Sequence, residues 1–310
     1  MRAVIIGEGM IELSGGGEMG GASRGQGWRL SYGGDTLNTA LHMARSGAEV
    51  AYATALGTDP FSDDLLRAWA DDGLDVSMVL RDPSRMPGLY AIRTDASGER
   101  SFAYWRSDSA ARRFFELPDA ATLLPRAMAA DLFYFSLISL AVLPEDGRHA
   151  LLDVARQLRA AGRTVAFDGN YRPILWRDPG EAAHWRDAAI GCATIGLPTA
   201  EDEALLSGEL DAAAVEAHWR AAGAQEMVVK MGAAGCRLTG GQVVAPAASL
   251  VPVDTSGAGD AFNAAYLLAR MAGKPPVEAA VAGHRLAGWV IQRRGAVPDR
   301  DAEAPYSRPE

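Results

Sequence analysis

The chain has 310 residues, 48% of them hydrophobic and 22% charged, which is enough for one large α/β domain or two smaller domains with a substantial core. Its formal net charge of −9 makes nucleic acid and anionic membrane surfaces poor partners. Its two cysteines, without a CxxC pattern, support neither a disulfide framework nor a zinc site and fit a reducing cytoplasm.

The first predicted strand covers residues 3–6. This apolar run is too short for a signal peptide, and no segment approaches the length of a membrane span. The following Gly7-Glu8-Gly9 resembles the start of a dinucleotide fingerprint, but Glu12 stands where the third glycine is needed. The sequence therefore argues against NAD binding.

Two glycines, Gly33 and Gly34, precede a predicted helix that ends at Gly47. One interpretation is a capped helix with a glycine hinge. The other is a close approach of the backbone to a small polar ligand, with Asp35 and Asn38 available for its hydroxyl groups.

Two β-like runs, residues 88–94 and 100–106, flank a turn-rich segment and predict a hairpin. The hairpin carries Tyr90, Tyr104 and Arg106. We interpret it either as an edge hairpin whose aromatic side chains pack, or as a lid over a site.

Beyond residue 131 strands alternate regularly with helices, which predicts a parallel sheet with helices on both faces. Asn170 and Arg172 follow the predicted strand 164–168, so we expect them at the carboxyl edge, where such sheets bind ligands. After the last helix, near residue 293, we expect a loosely held tail.

Lys230 ends another predicted strand, close to Gly232 and Gly235. A lysine in this position either meets a polyphosphate or lies solvated at the edge of the sheet. The residues leave both interpretations open.

The stretch 253–263 passes from a loop into a helix. The backbone N–H groups of Gly257, Ala258 and Gly259 have no helical partner there and predict an anion hole. Asp260 would stand beside the bound anion, where a phosphate repels it. One interpretation of its presence is a base that takes a proton from an attacking hydroxyl. The alternative is a helix cap beside a tight turn.

Several stretches together resemble the ribokinase-type (PfkB) family of carbohydrate kinases. Residues 254–262 resemble its C-terminal signature, and residues 33–35 resemble its N-terminal signature. The other segments that carry the resemblance are 10–14, 33–38, 56–59, 87–90, 98–100, 104–106, 139–141 and 167–173. The resemblance implies one ribokinase-like three-layer α/β/α domain over residues 1–310, with a mostly parallel central sheet and a small β lid. The implied lid segments lie within about 12–32 and 88–106.

The resemblance also implies transfer of the γ-phosphoryl group of ATP, with Mg²⁺, to the C6 hydroxyl of 2-dehydro-3-deoxy-D-gluconate. Asp260 is the implied base, with Gly257, Ala258 and Gly259 as the anion hole. The implied substrate-binding residues are Gly33, Gly34, Asp35, Asn38, Tyr90, Tyr104, Arg106, Arg172 and Asp260. The implied nucleotide-binding residues are Asn170, Arg172, Lys230, Gly232, Gly235, Gly257 and Gly259.

A guanidinium group pairs with a carboxylate through two parallel hydrogen bonds. We expect Arg106 to clamp the acid end of the substrate and Arg172 to reach between the acceptor and the phosphates. The opposite division between these two arginines stays open.

One position departs from the family pattern. Many members carry Asn-x-x-Glu where this chain has Ala200 to Glu203, so only Glu203 is carried over, as a residue that organises Mg²⁺ through water. The family likeness also suggests a monovalent cation near Asp254, a dimer whose lid strands pair between subunits, and a cytoplasmic location.

Other functions remain as alternatives. They are a sister kinase for the galactonate epimer, fructose, ribose or a nucleoside, and a catalytically silent sugar-acid sensor on the same fold. Arg106 argues against neutral sugars, and the retention of Asp260 with its glycines argues against the sensor.

Overall fold

Two sheets organise the computed structural model, which describes residues 1–16, 27–94, 100–208 and 211–306. The strands, in chain order, are β1 (Arg2–Ile6), β2 (Met10–Gly16), β3 (Arg29–Gly33), β4 (Glu49–Leu56), β5 (Val79–Arg81), β6 (Leu89–Thr94), β7 (Arg100–Trp105), β8 (Leu132–Ser136), β9 (Thr164–Asp168), β10 (Ile195–Gly196), β11 (Glu226–Lys230), β12 (Cys236–Leu238) and β13 (Val243–Val244). Within the described ranges, the larger sheet has nine strands in the order β13-β12-β11-β10-β9-β8-β1-β4-β5. From β11 to β5 neighbouring strands are parallel, whereas β12 and β13 pair antiparallel at one edge.

Helices cover both faces of this sheet. They are α1 (Asp35–Arg45), α2 (Pro60–Asp71), α3 (Leu123–Met128), α4 (Leu137–Val142), α5 (Glu145–Ala160), α6 (Pro179–Ile190), α7 (Ala200–Ser207), α8 (Ala212–Ala222), α9 (Ala258–Met271) and α10 (Pro276–Ile291). Short 3-10 segments lie at Ala110–Glu116, Pro118–Thr122, Pro173–Leu175 and Gly232–Ala234.

Alternate residues of the buried strands face opposite helical layers, because successive side chains point to opposite faces of a strand. Ala3 and Ile5 pack with α1, α2, α9 and α10. Val4 and Ile6 pack in a second cluster with α3 to α8. The predicted three-layer α/β/α fold is confirmed.

Local sequence signals set several helix ends. The Asp59 side chain accepts a hydrogen bond from Ser62 N at 3.1 Å, and Pro60 begins α2 with a backbone that already suits a helix. Gly208 ends α7 with φ of 72°, a conformation that glycine adopts at low cost.

The smaller sheet has the order β3-β2-β6-β7. Strand β2 pairs antiparallel with β3 and parallel with β6, and β6 and β7 form the predicted hairpin with Tyr90 opposite Tyr104. Residues 17–26 of the expected lid and the hairpin turn 95–99 lie outside the described residues.

The prediction of a loosely held tail is wrong as far as residue 306. Tyr306 packs edge-on against Trp289, and its hydroxyl donates to Nδ1 of the buried His42 at 2.8 Å. His42 Nε2 donates to the carbonyl of Ala296 at 2.9 Å. Burial lowers the pKa of His42 to about 4, so the neutral ring can hold both bonds. The predicted tail residues 307–310 lie outside the described part of the chain.

Across the described ranges, none of the helices combines the length and the apolar character that a membrane crossing requires.

Candidate active site

Several strands of the larger sheet end near one another, and polar side chains lie at these ends. Glu8 comes just after β1, Asp168 is the last residue of β9, and Lys230 is the last residue of β11. The first turns of α1 and α9 add Asp35 and Asp260. Ligands of parallel α/β sheets bind at this carboxyl edge, so these residues define the candidate site.

Asp260 lies in the first turn of α9 but does not cap it. The N-cap is Gly257, and no side chain caps this end of the helix. Asp260 is buried, and its Oδ2 accepts a hydrogen bond from Asn38 Nδ2 at 2.8 Å. The helix-cap interpretation is therefore wrong, and the carboxyl group contacts the first turn of α1.

Burial, followed by the negative charge of Asp35, raises the pKa of Asp260 to about 8. The hydrogen bond from Asn38 and the charge of Lys230 act in the opposite direction, and Asp168 adds a smaller upward effect. Removal from water also raises the pKa of Asp35. A carboxyl group that titrates near neutral pH is suited to general base catalysis.

Lys230 is buried and bonded, so the interpretation as a solvated lysine is wrong. Its Nζ donates to Asp168 Oδ1 at 3.0 Å and to Asn263 Oδ1 at 3.1 Å. Asn263 Nδ2 donates in turn to Asp168 Oδ2 at 2.9 Å. This network holds a positive charge beneath the start of α9, where it complements the helix dipole for an anion.

The two glycines of the turn before α9 differ in their surroundings. Gly257 has φ of 69°, and a Cβ at this position would lie 2.6 Å from Ala296 Cβ. A Cβ on Gly259 would meet only Lys230 Nζ, at 3.8 Å. The first-turn N–H groups of a helix have no partner within the helix. The uncapped turn and the open space at Gly259 therefore fit a phosphate group.

The start of α1 also faces the site. Asn170 Nδ2 donates to Asp35 Oδ2 at 3.4 Å. Among the described residues, Asn38 Oδ1 and Asn170 Oδ1 are buried without a hydrogen-bond partner. Because buried polar atoms normally have partners, these two oxygens suggest that a ligand with hydroxyl donors completes the site.

The smaller sheet, the predicted lid, contributes two stacked tyrosine rings. The centroids of Tyr90 and Tyr104 are 6.0 Å apart, and the Tyr90 hydroxyl bonds to Glu12 on β2. A Cβ on Gly33 would collide with this hydroxyl, so glycine allows the tyrosine to approach the backbone. Gly34 has φ of 152°, and a Cβ there would collide with the carbonyl of Glu8.

The two predicted arginines have different environments. Arg106 is only 10% exposed, and its Nε donates to Glu8 Oε2 at 2.7 Å. Arg172 is 49% exposed and donates through Nη1 to the Tyr171 carbonyl at 2.6 Å and to Asp202 Oδ1 at 3.1 Å. The Arg106 side chain is therefore buried beside the smaller sheet, whereas the Arg172 side chain is half exposed at the rim of the candidate site.

Glu203 is engaged in buried contacts. Its Oε2 accepts from Arg186 Nη1 at 2.7 Å and its Oε1 from Trp219 Nε1 at 3.0 Å. These contacts support a structural role, and the magnesium role stays a prediction. In the described part of the chain, no group of three or more His, Cys, Asp or Glu side chains forms a metal site.

Gly232 and Gly235 form the tight turn between β11 and β12. Gly235 has φ of 97°, and a Cβ there would collide with the Val244 carbonyl, whereas Gly232 borders open space. Asp254 supports the neighbouring loop, since its two oxygens accept from Ser256 N at 2.9 Å and Gly295 N at 3.0 Å. Their roles toward nucleotide or cation stay predictions.

Glu8, Glu12 and Asn263 take part in these contacts but were not predicted as site residues from the sequence. Glu8 had a usable signal, because it directly follows a predicted strand and so belongs to the carboxyl edge. Asn263 lies one turn after Asp260 in α9, on the helix side that meets Lys230.

The chain is similar to known proteins along nearly its full length. Residues 2–303 match the family model described as pfkB family carbohydrate kinase. The chain is 42% identical over 303 residues to the 2-dehydro-3-deoxygluconokinase of Dickeya dadantii (strain 3937), covering 94% of this chain and 95% of that protein. It is 40% identical over 311 residues to the 2-dehydro-3-deoxygluconokinase of Escherichia coli (strain K12), covering 97% and 98%. A solved PfkB protein from Polaromonas sp. JS666 aligns with a TM-score of 0.81 at 27% identity, covering 96% and 97%.

The raised pKa of Asp260 links the stability of the fold to pH. The native state holds the Asp260 proton up to about pH 8, whereas an unfolded aspartate loses it near its ordinary pKa of 3.8. The stabilisation from this proton is complete at pH values below the pKa of Asp260 in the unfolded state. It is lost as pH rises through the pKa of Asp260 in the folded state. We therefore expect Asp260→Asn to raise Tm above the wild type more at about pH 9 than at about pH 5.

The measurement is thermal unfolding without ligand across this range, with the exposed Asp119→Asn as a control that follows the wild type. Parallel curves for wild type and Asp260→Asn would rule out the perturbed carboxyl group.

Proposed function

Because this chain belongs to the pfkB family of carbohydrate kinases, we propose that it phosphorylates 2-dehydro-3-deoxy-D-gluconate at the C6 hydroxyl, with ATP as the donor. The observation that carries the proposal is identity of 40% and 42%, over nearly full length, to two proteins named 2-dehydro-3-deoxygluconokinase. The products are the 6-phosphate of the keto acid and ADP.

Asp260 acts as the base in this proposal. Its carboxylate takes the proton of the C6 hydroxyl while the oxygen attacks the γ-phosphorus and the bond from that phosphorus to ADP breaks. Asn38 holds one carboxylate oxygen at 2.8 Å, which leaves the other oxygen for the hydroxyl. The pKa of about 8 provides a base strong enough to accept the proton as the new bond forms.

The uncapped turn of α9 binds the transferred group. In this proposal the N–H groups of Gly257 and Gly259 face the negative charge that the phosphoryl oxygens carry, and Lys230 adds a positive charge nearby. The N–H group of Ala258, also predicted for the anion hole, donates to the Thr255 carbonyl at 3.3 Å. Bound Mg²⁺ would neutralise phosphate charge and typically keeps several of its waters. The engaged oxygens of Asp168 and Glu203 fit such a water-mediated ion better than one held in a protein cage.

The lid side binds the acid end of the substrate in this proposal. Arg106 pairs with the carboxylate, and the hydroxyl groups of Tyr90 and Tyr104 lie on the same side. Arg172, at the rim, reaches toward the phosphates. Closure of the four-stranded sheet over the substrate would exclude water from the γ-phosphate within a single kinase domain.

The lid is also the basis for the proposed dimer. Trp28, Leu30, Phe102 and Trp105 are each between 47% and 60% exposed, which is unusual for large apolar side chains on one small sheet. Pairing of lids between two subunits would cover them. The dimer, like the cytoplasmic location, stays a prediction, and light scattering tests it.

The substrate assignment predicts a narrow acceptor range. With ATP, we expect rapid ADP release with 2-dehydro-3-deoxy-D-gluconate and little with fructose or ribose, because Arg106 needs a carboxylate partner. The measurement is a coupled ADP assay over a panel that includes the galactonate epimer. ADP release with a neutral sugar but none with either keto acid would overturn the assignment.

The assignment of Asp260 as the base predicts the effect of replacing its carboxylate with an amide. Asp260→Asn keeps the size of the side chain but cannot accept the proton, so we expect kcat to fall by on the order of 10²–10⁴-fold. The binding of ATP, measured by calorimetry, should stay close to that of the wild type. Turnover within a few-fold of the wild type would remove Asp260 from the mechanism.

Alanine substitutions at the two glycines are expected to have different effects, one on stability and the other on catalysis. Gly257→Ala forces a side chain into φ of 69° and against Ala296, so we expect a loss of about 1–3 kcal/mol in stability. Gly259→Ala meets nothing closer than 3.8 Å and should keep its Tm. Its methyl group nevertheless intrudes on the phosphate, so we expect kcat/KM for ATP to fall by about tenfold or more.

Thermal unfolding and steady-state kinetics on both alanine variants check this difference. Wild-type kinetics for Gly259→Ala would contradict the anion hole.

A further inference from the structure

Glu8 is an acidic side chain that no step of the proposed reaction uses. It lies just beyond β1, and its carboxylate is 1% exposed. Its Oε2 accepts from Arg106 Nε at 2.7 Å and also bonds to Arg106 Nη2. Its Oε1 is buried and has no hydrogen-bond partner among the described residues.

The contact with Glu8 uses one edge of the Arg106 guanidinium. A guanidinium has five donors in a planar fork, and a carboxylate pairs with two neighbouring donors at a time. With Nε and Nη2 directed at Glu8, the edge formed by Nη1 remains for a second carboxylate. Glu8 therefore sets the rotation of the fork and so the direction in which the free edge points.

The unpartnered Oε1 points to a ligand. Leaving a buried charged oxygen without a donor is unfavourable, so a native protein rarely keeps one unless something else completes it. A Cβ on Gly88, the residue before β6, would lie 2.7 Å from this oxygen and 3.2 Å from Arg106 Cβ. The absence of a side chain on Gly88 thus allows Glu8 and Arg106 to approach the backbone where the smaller sheet joins the larger one.

We propose that Glu8 is a positioning residue for the sugar-acid substrate: it fixes Arg106 for the substrate carboxylate, and its Oε1 accepts a hydrogen bond from a substrate hydroxyl. This inference rests on the proposed function. A purely structural ion pair that joins the lid to β1 is the competing explanation, and the experiment is designed to separate the two.

The first variant is Glu8→Gln, which keeps the shape of the side chain but removes its charge. We expect KM for the keto acid to rise about tenfold or more, with kcat changed less than about threefold and KM for ATP unchanged, because the interaction serves substrate binding. If this variant does not fold, Glu8→Asp carries the same test, since it keeps the charge but withdraws it by one methylene group.

A matched control lies in the helical layer formed by α3 to α8. Glu216 on α8 is also a buried glutamate whose Oε2 accepts from an arginine Nε, that of Arg237, at 2.7 Å. Glu216→Gln removes the same kind of ion pair away from the lid. We expect it to lower Tm without changing KM for the keto acid.

Chemical rescue separates charge from packing. In Glu8→Ala, added formate should enter the vacated space beside Arg106 and lower KM for the keto acid, with no such effect in the wild type or in Glu216→Ala. Keto-acid KM in Glu8→Gln within twofold of the wild type would overturn the proposal. So would a raised KM in Glu8→Ala that formate leaves unchanged. A wild-type protein without activity on the keto acid would instead refute the proposed function.

Discussion

The hydrogen bond between Asn38 and Asp260 is the contact around which the site is built. The two residues are separated by 222 positions, and the bond joins the first turn of α1 to the first turn of α9. Thr39 Oγ1 donates to the Asp260 carbonyl at 3.3 Å and reinforces the same crossing. Both helices belong to one buried cluster, so packing fixes the carboxyl group before any ligand arrives.

This arrangement carries a cost in stability. The charges of Asp35 and Asp168 raise the pKa of Asp260, and the charge of Asp168 also raises the pKa of Asp35. Lys230 pairs directly with Asp168. An uncompensated buried carboxylate is unfavourable, and its pKa rises as a result. In the proposed mechanism, the same perturbation makes Asp260 an effective proton acceptor. The buried carboxyl group that lowers the stability of the fold would then also be the reactive group, and large apolar layers on either side support it.

Sequence reasoning was strongest where the chemistry is local. The alternation of strands and helices predicts the layers of the fold, and residues 253–263 predict a loop that passes into a helix with an acid in its first turn. It failed where a partner lies far away in the chain. No residue near Arg106 in the sequence indicates that Glu8, 98 positions earlier, binds one edge of the Arg106 guanidinium group. The polar tail was likewise predicted to be loosely held, because the sequence does not show that Tyr306 contacts His42 in the folded chain.

The two ends of the site are built differently, and this difference follows from the topology. In the proposed binding mode, the phosphate end rests on α9, β9 and β11, elements packed into the central layers. The proposed acid end depends on Arg106, just after a strand of the smaller sheet, and on Glu8, just after a central strand. The Glu8–Arg106 pair joins the smaller sheet to the end of β1, so we expect the position of the proposed lid and the orientation of the guanidinium to be coupled. A substrate carboxylate that binds the free edge of Arg106 would favour the closed lid, whereas a neutral sugar would supply no such energy.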